Sequence, residues 1–177
     1  MKSYDRIFLV GPMGAGKTTI GRRLASHLHL EFIDLDSALE ERTGVDIPRI
    51  FDIEGEAGFR RRESQLLDEL TQLKGVVLAT GGGAVIDPDN QRHLGARGLV
   101  VYLRATLDTQ IKRTHGTNRP MLNGEDPATR LNALMEVRGP IYEALADRVI
   151  DTEDGHPERL AEELARALED SGIVDPH

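Results

Sequence analysis

Cysteine is absent from this chain of 177 residues, which excludes disulfides, thiolate chemistry and cysteine-held metals and leaves oxygen or histidine to bind any ion. Aromatic residues make up only 4% of the sequence, against 39% hydrophobic residues overall. The core is therefore expected to be aliphatic, and stacking of bases on aromatic platforms is not expected. A basic face is missing as well. The formal net charge is −8, and the basic cluster Arg60-Arg61-Arg62 is followed at once by Glu63, so nucleic acid is not an expected partner. No apolar run approaches membrane-spanning length. The polar segment Met1 to Arg6 runs straight into an apolar stretch, leaving no room for a signal peptide. A cytoplasmic protein with no membrane partner is expected, and a monomer is the expected assembly. Repeats and low-complexity tracts are also absent, and the length suits one α/β domain better than two.

What is present is organised around Ile7-Phe8-Leu9-Val10-Gly11-Pro12-Met13-Gly14-Ala15-Gly16-Lys17-Thr18-Thr19. An apolar run, a glycine-rich turn and a helical segment with a stripe at Ile20, Leu24 and Leu28 follow one another without a gap. The turn spells the phosphate-binding pattern G-x-x-x-x-G-K-[ST] in the strand-to-helix context that this pattern requires. Backbone N–H groups from Gly14 through Ala15, Gly16, Lys17 and Thr18 can then point at phosphate oxygens, aided by the positive end of the helix. Lys17 would reach the β- and γ-phosphates, and Thr18 would offer its hydroxyl to Mg²⁺.

The segment from Glu31 to Asp36 reads as a strand ending in carboxylates, and the spacing predicts Asp34 and Asp36 on one side of an extended backbone. In an open parallel sheet, that carboxyl edge is where ligands bind. A competing role for Asp36 is to cap the helix expected over 37–42. A short helix over 47–54 ending at Gly55 and a long polar helix over 56–73 follow. Three consecutive arginines on a helix point in three directions, so at most two of them can share a pocket. A strand over 76–80 runs into Gly81-Gly82-Gly83, which admits a ligand close to the backbone or serves as a flexible turn. A helix over 87–97, a strand over 99–103 and a helix over about 107–113 come next. The stretch from Thr114 to Pro127 is polar and turn-rich, with Gly116 and Gly124 as hinges and Arg119 beside Pro120. A loop of that length in a compact domain points to function or disorder. A helix over 128–137, a strand over 148–151 and an amphipathic helix over 157–169 complete the chain.

Alternating strands and helices predict an α/β fold: a doubly wound, five-stranded parallel sheet with its phosphate loop after the first strand. GTP-hydrolysing switches and small-molecule kinases share that beginning. The Asn-Lys-x-Asp guanine element is absent, which favours a kinase. Kinases of this kind exclude water with a mobile lid that carries an arginine, and the loop over 114–127 with Arg119 has that composition.

Taken together, the motifs resemble the shikimate kinase family, P-loop small-molecule kinases of the nucleoside monophosphate kinase type. The matching segments are Gly11 to Gly21, Asp34-Leu35-Asp36, Phe51 with Gly55-Glu56 and Phe59-Arg60-x-x-Glu63, Thr80-Gly81-Gly82-Gly83, Arg119-Pro120-x-Leu122, and Arg138-x-x-x-Tyr142. The resemblance implies MgATP-dependent phosphorylation of the 3-hydroxyl of shikimate by a single domain over 1–177, with the lid at about 114–127. It assigns Asp36 to the shikimate hydroxyls, Arg60 and Arg138 to its carboxylate, and the backbone at Gly81 and Gly82 to the same pocket. Asp34 is placed near the metal and the reacting hydroxyl, Arg119 in the lid, and Arg113 beside the adenine. Lys17, Thr18 and Thr19 belong to the ATP site. Met121 replaces a leucine of the family pattern, a volume-conserving change. Around Glu153 to His156 the chain is acidic where some relatives are basic near the adenine, and no side-chain contact is assigned there. A gluconate-type polyol kinase and a non-catalytic nucleotide-binding module are the alternatives.

Overall fold

The computed structural model describes residues 3–114, 126–153 and 155–170. Its strands are β1 (Ser3–Val10), β2 (Glu31–Asp34), β3 (Val76–Ala79), β4 (Gly98–Arg104) and β5 (Arg148–Asp151). They form one parallel sheet in the order β2-β3-β1-β4-β5. The helices are α1 (Lys17–Leu28), α2 (Leu35–Thr43), α3 (Ile47–Leu70), α4 (Pro88–Arg97), α5 (Leu107–Thr114), α6 (Pro127–Leu145) and α7 (Pro157–Asp170). Among the described residues, no helix is long and apolar enough to cross a membrane.

Helices cover both faces of the sheet, which is why the central strands read as continuous apolar runs rather than alternating ones. Ile7 and Leu9 of β1 join Val77, Leu99, Val101 and Leu103 in a core closed by α1 and α7. On α7, Leu160, Ala161, Leu164, Ala165 and Leu168 recur every three or four residues and are all buried. Each leucine there contributes about 2 kcal/mol by leaving water. Phe8 and Val10 point the other way, onto Leu35, Leu39, Phe59, Leu66, Leu67 and Tyr142 from α2, α3 and α6.

Strand register positions the site. Asp34 pairs with Ala79, and Ala79 with Leu9. Thr80 continues the row, donating from both its N–H and its hydroxyl to the Leu9 carbonyl at 3.1 and 3.0 Å. The ends of β2 and β3 therefore stand level with the turn that follows β1.

Two expected elements differ from those observed. The second strand stops at Asp34, so Asp36 does not share an extended backbone with it but lies in the first turn of α2. The cap of that helix is Asp34, not Asp36: its carboxylate accepts from the Asp36 N–H at 3.3 Å and the Ser37 hydroxyl at 3.0 Å. The helix expected to end near Val137 runs on through Gly139 and Pro140 to Leu145. Pro140 lacks an N–H for the Glu136 carbonyl, and Glu136 is an exposed residue, so the break falls on the solvent side. The predicted division at Gly55 is present as a kink within α3, where φ 71° and ψ 179° suit glycine alone. Apart from its ends, the expected lid, with Arg119, lies outside the described residues.

Candidate active site

The turn after β1 is held open by left-handed glycines, Gly14 at φ 79° and Gly16 at φ 90°. Gly16 begins α1 without a side-chain cap, and the first turn carries no acid. By contrast α2, α3, α4 and α6 all begin on an aspartate that accepts a backbone N–H. The helix dipole favours an external anion at this uncapped start of α1. The Lys17 ammonium donates to the Gly11 and Pro12 carbonyls at 2.6 and 2.8 Å, spanning the turn. Arg113 reaches over from α5 and donates to the Gly14 carbonyl at 2.8 Å.

Facing this turn, α2, α3, α6 and the glycine loop contribute a second set of groups. A Cβ at Gly81 would stand 3.2 Å from both Asp36 Oδ1 and Glu63 Oε2, so these carboxylates converge on that peptide. A Cβ at Gly83 would collide with the guanidiniums of both Arg60 and Arg138. Arg60 is oriented by Glu63, one helical turn on, through a 2.8 Å bond from Nη1 to Oε1. Its guanidinium also lies 5.1 Å from the centroid of Phe59. The continuous helix through Pro140 sets Arg138 and Tyr142 four residues apart on one face, both buried. The Tyr142 hydroxyl donates to the Gly82 carbonyl at 2.5 Å. Across the Gly55 kink, Phe51 packs on Phe59 with ring centroids 4.8 Å apart and supplies an apolar wall.

Both sets line one cleft of about 510 Å³, within the usual range for small-molecule sites. Gly14, Gly16, Lys17, Thr18, Thr19, Asp34, Asp36, Arg60, Gly81, Gly82, Arg113 and Arg138 are all on its wall. Ala15 is not: its methyl is buried in the core and its N–H donates to the Pro12 carbonyl at 3.3 Å. The cleft also separates the three arginines. Arg60 faces in, Arg61 is exposed, and Arg62 forms a two-point ion pair with Glu54 at 2.6 and 2.7 Å.

Electrostatics mark the acceptor side. Burial pushes the Glu63 carboxyl above its ordinary value; Arg60 opposes this and Asp36 adds to it. Burial draws the Arg138 pKa down, countered by Tyr142, and pushes the Tyr142 hydroxyl up. Two guanidiniums crowded over Gly83 repel each other, and a bound carboxylate relieves that repulsion while matching their planar geometry. Asp36 is an acceptor for hydroxyl donors in the same space. Glu63 had no role in the sequence reading, although a signal existed. It falls on the apolar stripe of its helix, four residues after Phe59 and three before Leu66, where an acid is out of place unless paired. No comparable pattern pointed to Tyr142 as a prop for Gly82.

A parallel sheet with a phosphate-binding turn, opposite a pocket for a small hydroxylated anion, defines a P-loop phosphotransferase acting on a small acceptor. The family model for shikimate kinase matches residues 13–169. The shikimate kinase of Halorhodospira halophila is 58% identical over 169 residues, spanning 95% of this chain and 96% of that protein. That of Methylococcus capsulatus is 51% identical over 173 residues, 97% of each. A solved structure of shikimate kinase from Acinetobacter baumannii in complex with shikimate matches with a TM-score of 0.91 and 46% identity over 94% of each chain. The chain belongs to the shikimate kinase family and is an ATP-dependent kinase.

Proposed function

We propose that this chain transfers the γ-phosphoryl group of ATP to the 3-hydroxyl of shikimate, giving shikimate 3-phosphate and ADP for aromatic amino-acid biosynthesis. The observation that carries this reading is the convergence of Arg60 and Arg138 over Gly83, beside Asp36, in the same cleft as the phosphate turn. Shikimate has one carboxylate and three hydroxyls. The arginine pair takes the carboxylate; Asp36 and the peptides at Gly81 and Gly82 take hydroxyls; the apolar wall at Phe51 and Phe59 faces the ring.

Amides of Gly14 and of Gly16 to Thr19 hold the ATP phosphates, and the Lys17 ammonium exchanges its bonds to the loop carbonyls for β- and γ-phosphate oxygens as charge moves. Asp34 accepts a hydrogen bond from the attacking hydroxyl, which orients it toward the γ-phosphorus. Magnesium asks a protein for one or two oxygen donors beside phosphate and water. Thr18 and Asp34 on the cleft wall fit that demand, and no cluster of three acidic or histidine side chains is present among the described residues. Thr18 is assigned to the ion, which when bound neutralises charge across the β- and γ-phosphates. Arg119, on a lid over about 114–127, is assigned to the transferring phosphate, and Arg113 to the adenine side. The enzyme is read as a single-domain monomer of the cytoplasm.

A coupled ADP-release assay with shikimate, with gluconate and without acceptor tests the reading. Turnover that depends on shikimate supports it. Turnover with gluconate makes the enzyme a polyol kinase, and no acceptor dependence makes it a nucleotide-binding module. For the lid, Arg119→Ala should lower kcat far more than it raises KM for shikimate, because a contact made only in the transition state appears in kcat.

A further inference from the structure

An acid beside a phosphate site is a liability unless something else binds its charge, and Asp151 and Glu153 stand close together at the end of β5. Arg104 takes Asp151 in a two-point pair at 3.0 and 2.8 Å. Glu153 is handled differently. One of its oxygens accepts from the Thr106 N–H at 3.0 Å and the Thr106 hydroxyl at 3.4 Å, and the other accepts from the Thr109 hydroxyl at 2.8 Å. Thr106 in turn accepts from the Thr109 N–H at 3.2 Å. Glu153 therefore closes a cap around the first turn of α5 from outside that helix, at its positive end. These bonds hold the carboxyl below its ordinary pKa, the Thr106 N–H first among them.

The other end of α5 rests on the phosphate turn with nothing between. A Cβ at Gly14 would stand 3.2 Å from Arg113 Cβ and from the Cα and carbonyl oxygen of Gln110. Thr109 and Arg113 are four residues apart, so the capped hydroxyl and the guanidinium on Gly14 share one face of the helix. A shift at the first turn is passed along this short helix to both Arg113 and the Gly14 peptide.

We propose that Glu153 is a positioning residue for the nucleotide: by bracing the start of α5 it seats Arg113 and the helix against the phosphate turn. This rests on the assignment of that turn to ATP, and it explains why an acid is tolerated there. The prediction is opposite to that for simple repulsion, in which removing the acid strengthens nucleotide binding.

The test is calorimetric titration with ADP, and separately with shikimate, of the wild-type chain and the variants E153A, E153Q and T109V. Glutamine can still accept from the Thr106 N–H while its amide donates to the Thr109 hydroxyl. E153A should weaken ADP binding about fivefold or more, in line with the loss of a helix cap; E153Q should stay within about twofold, and T109V, which deletes the hydroxyl's bond to Glu153 and the one it accepts from the Thr106 hydroxyl at 3.2 Å, should weaken it about two- to threefold. Shikimate binding should be unchanged in all three. Unchanged or tighter ADP binding in E153A, equal damage in E153Q and E153A, or a parallel loss of shikimate affinity would overturn the proposal. If E153A does not fold, T109V and E153Q decide the matter, with unaltered ADP binding in T109V counting against it. ADP titration needs no acceptor, so failure of the shikimate assignment would show separately, as wild-type protein that binds ADP but not shikimate.

Discussion

The two halves of the cleft are built in different ways. The half assigned to the nucleotide is one uninterrupted stretch, β1, turn and α1, in which glycines, lysine and threonines occupy neighbouring positions. The acceptor half draws single side chains from α2, α3, α6 and the loop after β3, which are far apart in sequence. The first works by local geometry, with Arg113 of α5 resting on its turn. The second works by charged groups half or fully buried, each needing a partner: Glu63 for Arg60, Tyr142 for Arg138 and Gly82. Damage to the first half should therefore remove chemistry and leave the fold alone, whereas damage to the second should cost binding and stability together.

The largest effect is expected at Lys17. Lys17→Ala should lower kcat at least about 100-fold, near 3 kcal/mol of transition-state stabilisation, with an unchanged circular dichroism spectrum and Tm. A variant keeping more than about a tenth of wild-type kcat would remove Lys17 from the chemistry. Next, Arg60→Ala should weaken shikimate binding by about 2–5 kcal/mol and also lower Tm, since Glu63, only 1% exposed, loses its ion-pair partner. Arg61→Ala, one residue on but exposed, should change either quantity by less than about 0.5 kcal/mol. Equal titration curves for the two variants would erase the distinction between pocket and surface.

Tyr142→Phe sharpens the comparison further. It deletes the donor to the Gly82 carbonyl while keeping the ring that packs on Tyr102 with centroids 5.1 Å apart. Stability should fall by about 1–2 kcal/mol, and KM for shikimate should rise while KM for ATP holds. A matching rise in both constants would mean that the two halves are coupled rather than separate.

The smallest expected effect is a slope. Burial raises the Glu63 pKa above 4.5, so the folded state binds that proton more tightly than the unfolded chain does. The stability this group contributes is fully present below its unfolded pKa and is lost as pH rises through the folded one. Glu63→Gln has no such proton, and its amide oxygen can still accept from Arg60. The difference in Tm, variant minus wild type, should therefore increase as pH is raised from about 4 towards 7. A flat or falling difference across that range would show that pairing with Arg60 outweighs burial.

Much of this is legible in the sequence alone. Apolar runs of four to five residues separated by amphipathic segments predict a parallel sheet covered on both faces, and the strand-turn-helix context identifies the phosphate loop, because both depend on neighbours within a few residues. The kink at Gly55 was readable for the same reason. The error at Asp36 has the opposite origin. An acid two residues from another looks like strand alternation, and only the capping bond from Asp34 shows that the chain has already turned into α2. The helix through Pro140 departs from the expectation because a proline ordinarily ends a helix, whereas here burial of Leu131, Arg138 and Tyr142 outweighs one missing bond on an exposed edge.

The sequence by itself determined that a phosphate-binding pattern is present, where it lies between strand and helix, and which residue types could receive a small anion. Tertiary structure decided which of three adjacent arginines faces the cleft: α3 packs its Phe59, Leu66 and Leu67 stripe inward, leaving Arg61 to solvent and Arg62 to Glu54. It also decided that Glu63 and Tyr142 serve as props. The physical reason is range. A glycine's backbone freedom or a helix cap is settled by bonds within one turn, whereas the meeting of Asp36, Arg60 and Arg138 at one glycine loop depends on strand order and register, which all of the chain's packing sets at once.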